Sequence, residues 1–571
     1  MSRPRRILAA DCETDPFLHQ RVPEPFIWGV YDGSAFRTFD STEEFAAWAS
    51  QQHATIYFHN GGKFDAMFLL VSILRLTQSK KPVRAQIIGS RVVKIKLGKA
   101  ELIDSYAAIP EALSMFGKGD IDYAKMEKAV RHLHMPEIIV YLKQDCVSLY
   151  DLITEYRSIA GKQLTIASNA LKFSKRLGID PGKTNASFDE SFRPFYFGGR
   201  TECFRPGTHK GIHIFDIRSA YPTAMCEYHP SGSEFVHLEE YQFHALPRHE
   251  QQKCFIRLRC ERPNGAYPLR TKTGLDFPTE GGEFNVTGWE YIAAQDLRLT
   301  KGEKILDVIR LSSEISFTEY VEHWYNYKAS HNKKTHPIQY NIGKRMMNAL
   351  YGKLAQNPAR YYDYYYVPGG TPIDFENGWE QAAEYNDIEV HRREALWKYK
   401  KEFGDEWRGR PLYNNVATGA SITGLTRSYL LRAMYRVGKS HIIYCDTDSL
   451  IMDNSSDLKI LPQSDKLGDW EKEAENCPIG HFAGKKLYGI ELPNTEKCTC
   501  NNPLKKDCKK HKIATKGGKL SFADIGRIIK GEKVTWENPA PSFSIAGQAS
   551  FVVRSIRSTA KRALERNQNP T

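Results

Sequence analysis

Tyr444-Cys445-Asp446-Thr447-Asp448-Ser449 lies between two apolar pairs, Ile442-Ile443 and Leu450-Ile451. Two short apolar strands joined by so few polar residues predict a hairpin over 440–453, with Asp446-Thr447-Asp448 at its tip. Far upstream, His213-Ile214-Phe215 forms the end of another apolar run, Gly211–Phe215, which leads directly into Asp216 and is followed by Ser219-Ala220-Tyr221-Pro222. Acids at the tips of apolar strands make a platform for a cation, because neighbouring carboxylates repel unless positive charge sits between them. Either segment alone also reads as an ordinary Asp-rich turn. Between them, Lys344, Asn348 and Tyr351 stand at i, i+4 and i+7 of a helix predicted over 337–355, with Gly352 next in line. A cation, an amide and a ring on one stripe suit a nucleotide; a solvated amphipathic face is the plainer reading.

The chain has 571 residues, 41% hydrophobic and 26% charged, with 28 Phe, 30 Tyr and 9 Trp. With a mean hydropathy of −0.51, this is the balance of a globular protein with more than one core, not of a disordered chain. No apolar run reaches the roughly 18 residues that span a bilayer. The basic start, Met-Ser-Arg-Pro-Arg-Arg, is followed by too short an apolar stretch for a secretory signal. Lys and Arg number 80 against 67 Asp and Glu, a net charge of +13, which favours a polyanionic partner such as nucleic acid. Eleven Cys in this length are too few for a disulfide scaffold.

The first 150 residues alternate strand and helix patterns and predict one α/β domain. Ile7–Ala10 reads as a strand running into Asp11-Cys12-Glu13, with both acids on one face. Residues 54–59 read as a second strand, ending in the turn Asn60-Gly61-Gly62, with Asp65 opening a helix. Pro136–Ile153 reads as an amphipathic helix with Pro at its start, carrying Tyr141 and Asp145 on one face. Four carboxylates from these elements could hold two hard divalent cations, although any one acid alone reads as a cap or a surface group.

Taken together, these segments resemble the motifs of the family B DNA polymerases. Asp11-Cys12-Glu13, Asn60…Phe64-Asp65 and Tyr141…Asp145 are similar to the three 3′–5′ exonuclease motifs. Asp216…Pro222, Lys344…Gly352 and Tyr444…Ser449 resemble polymerase motifs A, B and C, and Lys486-Leu487-Tyr488 the Lys-x-Tyr motif. Tyr196-Phe197-Gly198-Gly199 resembles the linker motif of the protein-primed subgroup, nearest to tectivirus-like phage enzymes and then to those of small podoviruses. The motifs occur in the family's order from about residue 7 to about residue 555.

The resemblance implies an α/β and α+β multidomain chain: an RNase H-like 3′–5′ exonuclease followed by a right-hand polymerase with two terminal-protein-region insertions. The implied boundaries are 1–160 exonuclease, 161–200 linker, 201–284 palm, 285–325 first insertion, 326–357 fingers, 358–408 second insertion, 409–520 palm and 521–571 thumb. The Tyr run at 361–366 reads as a packed hairpin at the root of the second insertion, the competing reading being a base-stacking platform for single strands. The implied activity is DNA-directed DNA polymerisation from a terminal-protein primer, with strand displacement and proofreading. Two Mg²⁺ or Mn²⁺ serve each centre. The implied partners are primer-template DNA, displaced single strand, dNTPs and the terminal protein. The chain acts as a monomer in host cytoplasm, with no membrane.

By the same resemblance, Asp216, Ile217 and Asp448 are polymerase metal contacts, with Asp446 a supporting acid. Ile217, Tyr221, Lys344, Asn348 and Tyr351 meet the nucleotide, Tyr221 lying where a 2′-OH would clash. Lys486, Tyr488, Tyr196, Gly198 and Gly199 contact DNA. Asp11, Glu13, Asp65 and Asp145 are the exonuclease metal carboxylates, Tyr141 orients the attacking water and Lys125 is its lysine. Thr14, His59, Asn60, Phe64 and Ser105 contact the frayed strand. Three features depart from the family pattern. Ala349 replaces the usual Ser of motif B, and Tyr106 follows Ser105 where Leu is usual. Cys498, Cys500, Cys508 and His511, in the basic stretch 497–512, form a candidate structural Zn²⁺ site, the competing reading being an ordinary basic loop. Two other readings compete with protein priming: the same enzyme using nucleic-acid primers, and a non-catalytic replication scaffold.

Overall fold

The structure is a computed structural model describing residues 5–16, 22–77, 82–117, 119–272, 274–357, 361–409, 412–453, 460–493, 510–537, 542–551 and 553–556. Two large sheets and a smaller one carry the architecture. The first has ten strands. From one edge they run Phe36–Phe39, Pro25–Tyr31, Arg6–Thr14, Ala54–Phe58, Ala100–Asp104, Arg91–Leu97, Val83–Ile88, Tyr362–Pro368, Ile388–Glu394 and Glu380–Tyr385. Ala54–Phe58 pairs in parallel with both Arg6–Thr14 and Ala100–Asp104, and all five of its residues are buried. That is the pattern of a strand covered on both faces. Helices Thr42–Gln51 and Asp65–Thr77 cover one face, and Arg131–Ile159 the other.

The long helix differs from expectation at its start. Pro136 lies inside it, because five residues precede it in helical form. That extra turn is anchored by Arg131, whose guanidinium pairs with Asp15 at 3.0 Å and lies 4.2 Å over the ring of Phe26. As the sixth residue of the helix, Pro136 forgoes the bond its N–H would make to the carbonyl of His132, and the helix continues beyond it.

The Tyr run also finds a distant partner. Tyr362–Pro368 pairs antiparallel with Val83–Ile88, so the hairpin after the motif B helix extends the first sheet. Tyr366 is buried there, and its hydroxyl donates to the carbonyl of Ile545 at 2.7 Å.

The second sheet has seven antiparallel strands, in the order His511–Thr515, Leu487–Glu491, Trp470–Gly484, Gly207–Ile217, Ser449–Asp453, Ile442–Asp446 and Thr201–Cys203. A four-stranded sheet, His229–Leu238, Lys301–Ile315, Phe255–Arg262 and Gly282–Thr287, stands beside it. The expected boundary at 284/285 therefore falls inside a strand, and the unit spans 229–315. The helix Val416–Arg436 is the buried spine: its apolar residues contribute to the cores on several sides. Beyond helix Phe522–Ile529 the described residues form short strand pairs. The end of the expected thumb, residues 557–571, lies outside the described residues. No described helix is long and apolar enough to cross a membrane.

Candidate active sites

The polymerase motifs meet on the seven-stranded sheet. Gly207–Ile217 is flanked by Ser449–Asp453 and Trp470–Gly484, which puts Asp216 opposite Ser449 on one side and Glu471 on the other. Across the hairpin, Asp446 also pairs with Ser449. The main-chain N–H of Ile217 donates to the carbonyl of Asp448 at 2.7 Å, which locks the two acidic segments together. Burial, then the charge of Asp448, pushes the Asp216 carboxyl up to about 7. Burial, then Asp446, pushes Asp448 up to about 6. Two half-buried carboxylates facing each other form a hard-oxygen donor set whose repulsion a divalent cation relieves. Asp446 is held differently: Lys486 donates to both its oxygens at 2.6 and 2.5 Å, and Thr201 donates to it at 3.0 Å.

The helix Pro337–Leu354 brings its stripe to this place. Tyr351 stacks on Tyr221 with ring centroids 4.1 Å apart. Burial pushes both phenols up, so both stay protonated. Lys344 is exposed, and the Asn348 amide donates to its carbonyl at 2.7 Å. No side chain meets a Cβ built on Gly352. Ile217 is buried, so only its main chain can serve a ligand. Tyr488 is buried against Tyr444, and the Tyr444 hydroxyl accepts the N–H of Lys486 at 2.9 Å.

The linker presses on the hairpin tip. Thr447 has φ 61°, and its N–H donates to the carbonyl of Arg200 at 2.6 Å. A Cβ on Gly199 would lie 2.4 Å from the Thr447 hydroxyl oxygen and 2.8 Å from its Cβ. Gly198 is exposed, and the carbonyl of Tyr196 accepts from Arg270 at 2.9 Å. From the spine helix, Arg427 donates to the carbonyls of Phe197 and Gly198 at 2.6 and 2.9 Å and to Glu290 at 2.7 Å. Arg427 and Glu290 are both buried, so breaking the pair by removing one partner would strand a charge. Nothing local in the sequence marks this pair. Gly199→Ala is expected to lower primer extension by about tenfold or more through the displaced hairpin tip. Adding Thr447→Gly, which suits a positive φ, should restore much of it. Extension rates with a circular dichroism check of folding measure this.

The second acidic centre lies on the ten-stranded sheet. Oxygens of Asp11, Glu13 and Asp145 lie within 4.8 Å of one another. Glu13 and Asp145 are buried, and the Gly119 N–H donates to Asp145 at 3.3 Å. Three carboxylates so close fit a divalent cation. Asp65 stands outside this grouping: one of its oxygens accepts the Cys12 thiol at 2.9 Å. Cys12 lies between Asp11 and Glu13 and points to the opposite face of the strand. Burial and the surrounding acids push the Cys12 thiol up, so it remains a donor to Asp65. The Tyr141 hydroxyl lies 3.2 Å from that of Tyr123, and Lys125 donates to Glu137 at 2.7 and 2.9 Å.

The expected strand contacts border this centre. His59 lies 2.9 Å from the Ser105 hydroxyl, and its other nitrogen donates to the Glu111 carbonyl at 2.7 Å. Arg91, unmarked in the sequence, donates to Asn60 at 2.9 Å and to Asp104 at 2.6 Å. Its guanidinium lies 4.4 Å over the ring of Tyr106, a stacking that Leu could not provide and a physical reason for the departure at that position. Asn60 has φ 62°, which aims the turn at Arg91. Phe64 packs edge-on against Phe68 and Phe543, and Thr14 donates to the carbonyl of Asp15 at 3.0 Å. Of the candidate zinc residues, Cys498, Cys500 and Cys508 lie outside the described residues. The ring of His511 stacks on Phe522 at 4.5 Å.

The model of the family DNA polymerase type B, organellar and viral, matches residues 116–437. The chain belongs to that family and is a DNA-directed DNA polymerase of the protein-primed phage type. It is 34% identical to the DNA-directed DNA polymerase of Enterobacteria phage PRD1, over 97% of this chain and 98% of that one. It is 26% identical to the DNA polymerase of Bacillus phage phi29, over 82% and 84%. The fold matches phi29 DNA polymerase complexed with primer-template DNA and incoming nucleotide, with a TM-score of 0.73 at 19% identity, covering 97% of this chain and 100% of that one.

Proposed function

We propose that this polymerase copies a linear viral or plasmid genome from a terminal-protein primer, displaces the non-template strand, and proofreads at its second acidic centre. The single observation carrying the polymerase assignment is the convergence of Asp216 and Asp448 beside the stacked pair Tyr221–Tyr351. Asp216 and Asp448 would hold the polymerase ions, with Ile217 offering main chain. Asp11, Glu13 and Asp145, joined by Asp65, would hold those of an RNase H-like exonuclease domain. Bound divalent ions supply Lewis acidity toward hydroxyl and phosphate oxygens.

The protein's own groups do the rest. Lys344 meets the incoming phosphates as a point charge, Asn348 and Tyr351 frame the base pair, and Tyr221 closes the space a 2′-OH would need. Lys486, now on Asp446, is near enough to the acids to steady a primer terminus. Tyr196, Gly198 and Gly199 pass DNA between the two centres. At the exonuclease, Tyr141 orients water, His59, Asn60, Phe64, Thr14 and Ser105 line the strand, and Lys125 exchanges Glu137 for substrate. The strand order of the first sheet, with its parallel centre, supports the RNase H-like reading. Binding of primer-template DNA and nucleotide is supported by the phi29 complex of the same fold. The segments 285–325 and 358–408 would be the two insertions, the first facing the priming protein and the second the template.

The test is transfer of labelled dNMP to the candidate terminal protein without any oligonucleotide. A labelled protein is expected; incorporation only when an oligonucleotide primer is supplied would replace protein priming by ordinary priming.

A further inference from the structure

The motif B helix touches the exonuclease domain as well as the palm. Its buried Ile342, Met346, Met347 and Leu350 share one core with Tyr57, Ile109 and Leu149 of the first domain. Across this seam run two polar contacts. Arg345, next to Lys344 but off the nucleotide stripe, donates through Nε to Glu111 at 2.9 Å, with Nη2 on the same oxygen. Gln339 donates to Glu155. Glu111 has a second grip, because its carbonyl accepts the ring N–H of His59, whose other nitrogen meets Ser105. One residue thus holds the nucleotide helix by its side chain and a strand-contact histidine by its main chain.

We propose that Glu111 is a positioning residue that couples the nucleotide helix to the strand-binding edge of the exonuclease centre, through Arg345 on one side and His59 on the other. This rests on the two-centre reading above. The loop carrying Glu111 is seated by Ile109 in the shared core, and the N–H of Glu111 donates to the Ile109 carbonyl at 2.9 Å. Arg345 adds a polar link from the nucleotide helix to this loop, so a displacement of that helix would be passed through Glu111 to the His59 ring. Two sites biased by one element are reciprocally coupled. The pair is partly solvent-exposed, so its loss leaves the fold intact.

The test uses the full-length protein carrying Arg345→Gln, Glu111→Gln, Glu111→Asp, or the reversal Glu111→Arg with Arg345→Glu. Arg345→Gln lies on the polymerase helix, yet it is expected to raise KM for a single-stranded oligonucleotide in the exonuclease assay by about three- to tenfold, with kcat within about twofold. The dNTP concentration at which a primer-template passes from net degradation to net extension should fall by a similar factor. Glu111→Gln should match Arg345→Gln, while Glu111→Asp and the reversal should recover most of the wild-type KM. A KM unchanged in both Gln variants, or a reversal no better than the singles, overturns the coupling. A wild-type protein that degrades no single strands overturns the two-centre reading itself, and is seen before any variant is made.

Discussion

Asp448→Ala should abolish template-directed extension, by about a thousandfold or more, which is about 4 kcal/mol of barrier. The argument is electrostatic. Asp216 and Asp448 are half-buried, and burial first, then the charge of Asp448 on Asp216 and of Asp446 on Asp448, holds both carboxyls well above their ordinary range. Crowded, desolvated carboxylates are the price of a site built for cations, and deleting Asp448 leaves Asp216 without its partner donor, too little to hold two ions. Asp446→Ala should do less damage, because Asp446 is neutralised by Lys486 within the protein. The hairpin should survive Asp448→Ala, since its main-chain bonds to Ile217 and Asp446 do not involve the side chain. Degradation of single-stranded DNA should therefore persist at close to the wild-type rate. Primer extension and single-strand degradation, measured on one preparation, check both halves. Persistent extension by Asp448→Ala would end the assignment of the polymerase centre.

The acids of both centres were legible because their placements are local: Asp11, Glu13, Asp216, Asp446 and Asp448 sit where an apolar strand stops, Asp65 opens a helix after a turn, and Asp145 shares a helical face with Tyr141. Asp216, Asp446 and Asp448 needed only the apolar runs beside them, and the Lys344–Tyr351 stripe only helical spacing. What escaped is long-range. Arg427 and Glu290, 137 residues apart, are in sequence two ordinary charges, and become a buried pair only when the spine helix packs against helix Gly288–Asp296. The start of the four-stranded sheet at His229 was hidden because Gly282–Thr287 pairs with Phe255–Arg262, a partner on the far side of the expected boundary. The Tyr run gave its strand character but not its partner, Val83–Ile88, in another domain. Pro136 was read as a helix start on a local rule that the Arg131–Asp15 anchor overrides. Cys12 was visible but silent: its alternation to the opposite face, and with it the grip on Asp65, follows from the strand geometry that put Asp11 and Glu13 together.

Asp11→Ala should remove single-strand degradation by about a hundredfold or more while leaving extension within about twofold. Asp11, Glu13 and Asp145 are the three acids whose oxygens converge, so removing one breaks the only such grouping among the described residues. Asp145→Ala should behave alike, with a smaller margin for the fold, since Asp145 is buried at the centre of the long helix. Asp65 separates geometry from family expectation. With its carboxylate on the Cys12 thiol, Asp65→Asn keeps an acceptor for that thiol and should cost the enzyme little unless the carboxylate swings into the acidic group on metal binding. If it does swing, Asp65→Asn will match Asp11→Ala, and Cys12→Ser, which can keep the hydrogen bond, will not. Rates on single-stranded oligonucleotides at several Mg²⁺ concentrations distinguish the two, because a lost ligand moves the Mg²⁺ midpoint whereas a lost second partner does not. Degradation undiminished in Asp11→Ala would sink the proofreading assignment, and leave the polymerase centre standing on its own acids.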